Sequence, residues 1–280
     1  MKRIVAATLS LLCIHCSSGD LPDSFRLETF RVLALMADIP EANPGDTVTV
    51  TPLLSDVLGN GRTVTFSAQA CIDPGVGFGA TPACDGNPSS VTLATDQVVN
   101  GLIAPNYTGL ASSTVAVPIP ASPIIFDQRS TADQFNGVAY LVVFQFKVSA
   151  TETVNAFKRI LVSTRTTKHT NPTYTSPSIQ SNGSPLAAIS ETETDINVDV
   201  NPASAESFQE MLADGNLVTK TEVPQTFWYI SDGDLFTRLT ENSDENRFTK
   251  PDTLPTNHQL VIVAVTVDER GGANAIVGAF

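Results

Sequence analysis

Four cysteines, three histidines and 29 carboxylates carry most of the chemistry open to this chain. Cys71 and Cys84 flank a Gly/Pro-rich stretch, and in an oxidising compartment such a pair is expected to form a disulfide. Closing a loop of this size is worth about 3 kcal/mol in the chain-entropy view. A metal pair would need further ligands, and His169 and His258 both lie far away in sequence. Asp232, Asp234, Asp244 and Glu245 offer hard oxygen atoms of the kind calcium takes. Their spacing lacks the Asp-x-Asp-x-Asp-Gly pattern, so solvated turn residues are expected, with calcium as the alternative.

Catalytic arrangements are harder to find. A hydrolase needs a nucleophile beside a positioned base, and the chain has neither Gly-x-Ser-x-Gly nor His-Glu-x-x-His. His169 and His258 sit in polar, turn-like surroundings. Glu191 and Glu193 could act as a carboxylate pair on glycosides, yet their Thr-rich setting reads as a solvated face. Gly75-Val76-Gly77-Phe78-Gly79 mimics a phosphate loop, but Thr81-Pro82 and Cys84 follow where a helix should begin. Phe227, Trp228 and Tyr229 could stack a sugar. Neighbouring strand residues face opposite sides, so at least one must be core, and Trp228 is expected to be. No enzyme, metal or cofactor is expected.

The elements that would position these residues read as strands. Phe30 to Met36 is strand-like, and Thr47-Val48-Thr49-Val50 alternates polar and apolar, the mark of one buried face. Gly59-Asn60-Gly61 is a turn, and Arg62 to Ala68 forms the next strand, as a hairpin or a crossing between sheets. Asp73 to Gln134 is irregular, with weaker strands near Ser90–Leu93 and Ser113–Val117. Val138 to Phe146 is the strongest strand and is expected to be central, with Val154–Val162 as its hairpin partner. Further on, Asp195–Val200, Pro224–Ile230, His258–Val267 and Ala273–Phe280 repeat the pattern. Only Ala203–Leu212 looks helical. The polar run before Asn171-Pro172 reads as an interdomain linker.

At the N-terminus, Lys2 and Arg3 precede an apolar run from Ile4 to Ile14, too short for a spanning helix, which needs about 20 residues. This is the layout of an export signal. With Cys16 and the following Ser17-Ser18-Gly19-Asp20, it resembles bacterial lipoprotein signals, although Cys13 and His15 stand where that family prefers Leu and a small residue. The resemblance implies that Cys16 becomes the lipidated first residue, an anchor worth about 0.8 kcal/mol per buried CH₂. Cleavage after Gly19 is the alternative. Ser17, rather than Asp, after the cysteine points to the outer membrane of a Gram-negative cell.

Composition agrees with such a chain. Charged residues are 16% of the total and the net charge is −13, more negative still without Lys2 and Arg3. Nothing here favours a phosphate backbone, so no nucleic acid is expected. Val and Thr runs broken by Pro and Gly suit β-sandwiches, and about 265 residues after the leader suit two domains.

The residues Trp228-Tyr229-Ile230-Ser231-Asp232-Gly233-Asp234 and Val265-Thr266-Val267-Asp268-Glu269-Arg270-Gly271-Gly272 look like those of immunoglobulin-like and PKD-type extracellular modules. Pro44-Gly45-Asp46-Thr47-Val48-Thr49-Val50 resembles their opening turn and strand, and Arg62–Ser67 resembles the strand before the aromatic position. The resemblance implies an all-β chain of two tandem immunoglobulin-like β-sandwich domains. Its divisions are a signal at 1–15, a tether at 16–27, a sandwich at 28–164, a linker at 165–172 and a second sandwich at 173–280. It further implies a lipid-anchored envelope protein, periplasmic or surface-facing, that contacts other envelope proteins in a structural, adhesive or assembly role. A carbohydrate- or ligand-binding module is the alternative.

Overall fold

The computed structural model describes residues 24–59, 61–75, 81–105, 107 and 113–280. Residues 1–23, with the expected leader and Cys16, and residues 76–80 lie outside the described residues. No described helix is long and apolar enough to cross a membrane.

The chain is all-β and its sheets stack as β-sandwiches. The first half runs β1 (Arg31–Ala37), β2 (Glu41–Ala42), β3 (Thr47–Ser55), β4 (Thr65–Ile72), β5 (Val91–Val98) and β6 (Val115–Pro118). Two short helices follow, α1 (Ser122–Ile125) and α2 (Thr131–Asn136), and then β7 (Val138–Lys147) and β8 (Thr153–Val162). One sheet has the order β2-β8-β7-β4-β5, the other β1-β3-β6. Between them lies a core that includes Phe30, Leu35, Val50, Phe66, Phe144 and Phe146.

The second half opens with β9 (Gln180–Ser181), β10 (Ser184–Pro185) and β11 (Glu193–Ile196). It continues through β12 (Ser207–Met211), β13 (Leu217–Thr221), β14 (Gln225–Ile230), β15 (Asp234–Leu235) and β16 (Leu239–Glu241). β17 (Asn246–Thr249), β18 (Val261–Val267) and β19 (Ala273–Ala279) complete it. The sheet β16-β14-β18-β19 covers β11-β17-β15, while β12 and β13 form a separate two-stranded arm. Trp228 is 1% exposed in this core, packed with Ile196, Phe248, Ile262 and Ile276. Its ring nitrogen donates to Thr240 Oγ1 at 2.9 Å.

Two strands are apolar on both faces for a structural reason. In β18, Ile262 and Ala264 enter the second core, while Val261, Val263 and Val265 turn outward against Leu27, Leu33 and Leu53. This third apolar cluster joins the two sheet pairs. In β7, Tyr140, Val142 and Phe144 fill the first core; on its other face Leu141 packs beneath the Cys71–Cys84 disulfide. Burial on both faces removes the alternation that one-sided strands show.

Several expectations need correction. Phe25 and Leu27, assigned to a tether, are buried. Leu27 N donates to Ile230 O at 2.8 Å, and Ile230 N donates to Phe25 O at 2.9 Å. The segment thus adds itself to β14 before entering β1, anchored by the alternation of Phe25 and Leu27. Ala203–Leu212 is not helical: a single 3₁₀ turn at Pro202–Ser204 precedes β12. Phe208 and Met211 do not make a helical stripe, and Asp214-Gly215 turns the chain back into β13. β3 and β4 belong to different sheets, so of the two alternatives for the connection between them it is the crossing and not the hairpin. The irregular stretch also holds α2, whose Ser130 and Asp133 form a reciprocal capping box. Residues 165–172 join the halves, but Arg165 and His169 within them are buried.

Candidate functional site

The densest group of titratable side chains lies where the two sheet pairs meet, beside the third apolar cluster. Glu41 comes from β2, Ser163 to Thr170 from the segment after β8, Glu206 and Glu222 from either end of the β12–β13 arm, and Asp268 to Gly272 from the turn between β18 and β19. Each half of the chain therefore supplies part of it.

His169 is at the centre. Its Nδ1 lies 3.0 Å from Glu206 Oε2 and its Nε2 lies 3.0 Å from Asp268 Oδ1. Two carboxylates can be satisfied together only if both ring nitrogens carry protons. Burial pulls the His169 pKa down, but the bonds and charges of Asp268 and Glu206 outweigh it, and the net shift is upward. While both nitrogens carry protons, the ring has no lone pair and cannot serve as a base.

Arg270 supplies the second cation. It donates to Glu222 Oε1 at 2.8 Å through Nε, and to Glu206 Oε2 at 2.8 Å through Nη2. Its Nη1 reaches Glu41 Oε2 at 3.4 Å, and its guanidinium lies 4.3 Å from the Phe208 ring centroid. Burial lowers the Arg270 pKa, and the Glu222 bond together with the charges of Glu222, Glu41 and Glu206 outweighs it, so the net shift is upward. Glu41 also accepts from His169 N at 3.0 Å and from the Ser163 hydroxyl. Glu206 is raised by burial but held below its usual value by Thr170, His169 and Arg270. For Glu222, burial dominates and the pKa is raised.

The turn that carries Asp268 is tight enough to require glycine. A Cβ on Gly272 would sit 2.1 Å from Asp268 Oδ2 and 2.8 Å from His169 Nε2. Gly272 N instead donates to Asp268 Oδ1 at 2.8 Å. Lys158, on β8, donates to Gly271 O, and burial depresses its pKa to about 8 despite the attraction of Asp268.

His169, Glu222 and Asp268 bring ligand atoms within 4.8 Å of one another. The donor set does not suit a metal. The two His169 nitrogens point to different carboxylates, and Arg270 already occupies Glu222, so a cation would have to displace both a proton and a guanidinium. The arrangement is a clasp of paired charges.

The other sequence candidates are dispersed. Cys71 and Cys84 form the expected disulfide, with Cα atoms 5.7 Å apart. Asp234 pairs with Arg26 at 2.6 Å and Asp232 with His258 at 2.8 Å. Asp244 lies in the turn after β16, its N–H bonded to Glu241 O at 2.9 Å. Among the described residues, Asp232, Asp234, Asp244 and Glu245 are not gathered into a metal-binding group. Glu191 and Glu193 are exposed, with Arg247 3.8 Å from Glu193. Phe227 and Tyr229 lie on the face opposite Trp228, as alternation requires. The group of buried Glu41, Arg165, Glu222 and Asp268 with half-buried Glu206 was missed, since its members are far apart in sequence. The Asp268–Gly272 turn was its one local signal.

No family model matches the chain, and no curated protein matches it. Among solved structures it is similar to Escherichia coli alpha-2-macroglobulin activated by porcine elastase, at 12% identity and a TM-score of 0.30. The match covers 90% of this chain and 22% of that one, and at that score it carries no weight for fold or function.

Proposed function

We propose that the chain is an exported, lipid-anchored envelope protein whose two immunoglobulin-like sandwiches form one rigid, non-catalytic module acting through protein contacts. The observation that carries this reading is the junction. An apolar cluster and an internally paired charge clasp join the sheet pairs, an arrangement that holds orientation and leaves no free base beside a nucleophile. The disulfide fits an oxidising compartment. Cys16 would be the attachment point, and residues 17–23 could reach at most roughly 30 Å from the lipid to Ser24. That span would hold the second sandwich near the outer-membrane surface.

The test combines fractionation with crosslinking. The wild-type chain, tagged at Phe280, should sediment with membranes and capture defined envelope proteins from intact cells. Cys16→Ser should release it into the soluble fraction. Soluble wild-type protein would sink the anchor, and recovery of polysaccharide without protein would favour ligand binding instead. That second reading has one observation in its favour, the cleft beside Arg165.

A further inference from the structure

Among the described residues of the junction cluster, Arg165 is a cation whose charge is left incompletely matched. It is 9% exposed. Its guanidinium lies between two rings, 5.1 Å from the Phe135 centroid and 5.7 Å from that of Phe208. Its nearest carboxylate oxygen, Glu41 Oε2, is 3.7 Å from Nη1, beyond hydrogen-bond reach. Nε and Nη1 have no hydrogen-bond partner among the described residues. Leaving two buried guanidinium nitrogens without acceptors is costly, and proteins keep such groups where something else accepts from them.

The surroundings indicate what that is. Arg165 lines a cleft of about 380 Å³ whose other charged residues are Lys168, Arg270 and Glu206. Glu206 is already occupied, by Thr170 on one oxygen and by His169 and Arg270 on the other. The lining thus carries three cationic side chains and one carboxylate, inside a chain of net charge −13. A second cleft also touches Arg165 and Phe208, but there two carboxylates, Glu210 and Glu269, stand beside Arg159 and Arg270. Burial lowers the pKa of both Arg165 and Lys168, as desolvated cations awaiting a counter-charge should show.

We infer that the cleft bounded by Arg165, Lys168 and Phe208 binds the oxyanion group, carboxylate or phosphate, of a small ligand. Arg165 supplies the directional donors, and the flanking rings hold its plane. Lys168, bonded to Ser163 O at 2.7 Å, adds charge at the rim. The inference does not depend on the envelope reading, since binding of a small anion requires neither anchor nor partner.

Titration of the purified full chain with D-glucuronate, inorganic phosphate and D-glucose tests it, read by calorimetry and by the Arg165 Nε–H resonance. Saturable binding of glucuronate or phosphate with a shift of that resonance, and no binding of glucose, is expected; the tighter of the two identifies the oxyanion. Arg165→Gln should weaken the binding roughly tenfold or more, the range for charged hydrogen bonds. If Arg165→Gln does not fold, Lys168→Gln should still weaken binding severalfold. Absence of saturable binding by either anion, equal binding of glucose, or undiminished binding in the folded variants would overturn the inference.

Discussion

The junction between the sheet pairs is built in two halves that solve the same problem differently. In one, Val261, Val263 and Val265 lie against Leu27, Leu33 and Leu53. In the other, His169 and Arg270 are shared among Glu41, Glu206, Glu222 and Asp268. Apolar contact is favourable in many orientations, because its strength follows the area removed from water. Hydrogen-bonded charges are favourable in few orientations, and their desolvation offsets much of their attraction. The apolar half therefore supplies adhesion, and the charged half fixes the angle at which the two sheet pairs meet.

The largest effect should come from placing a charge in the apolar half. Val263→Asp would bury a carboxylate with no partner, and a loss of more than about 4 kcal/mol is expected in urea unfolding. An effect below about 1 kcal/mol would mean that the apolar half contributes little. Next, Asp268→Ala removes the counter-charge of His169 and Lys158 and should cost about 3 kcal/mol or more, as breaking buried pairs does. Equal losses from both variants would leave no distinction in strength between the halves.

The charged half also contains one group that works against it. Lys158 is held at about 8 by burial. A depressed lysine destabilises the fold wherever it must remain charged, so its penalty is complete below pH 8 and fades between about 8 and its ordinary value of 10.5. Lys158→Met should gain about 1 kcal/mol at pH 7, less than the shift alone implies because the bond to Gly271 O is lost. That gain should shrink in unfolding measurements above pH 8. The smallest effect belongs to His169. Its folded pKa is raised, so its contribution is complete below 6.5 and is lost as pH rises through the folded value. Unfolding of the wild type compared with His169→Gln should show the difference narrowing across that window, while Val263→Ala should run parallel to the wild type.

This contrast explains what could be read from the sequence. The strands of the apolar half were legible because apolar residues declare themselves locally: the unbroken run Leu260–Val265 and the alternation Thr47–Val50 each identify a strand. Trp228 followed from its position between two outward neighbours. The charged half left almost no trace, because Glu41, His169 and Asp268 become neighbours only when β2, the segment after β8 and the β18–β19 turn converge. Arg165 and His169 stand in a run of Thr, Ser and Lys that resembles a solvated linker, since nothing local distinguishes a charge facing water from one facing a distant carboxylate. Phe25 and Leu27 were lost for a related reason: two apolar residues are too few to mark a strand until β14 is there to receive them.

Unfolding the whole chain while watching each sheet pair separately tests most directly whether the junction makes them one unit. Trp228 fluorescence reports the second pair, and amide exchange at Val142 and Phe144 on β7 reports the first. With both halves of the junction intact, the two probes should lose their signals in a single coincident transition in urea. Two separated transitions in the wild type would contradict a rigid module and leave the clasp as a contact between independent sandwiches.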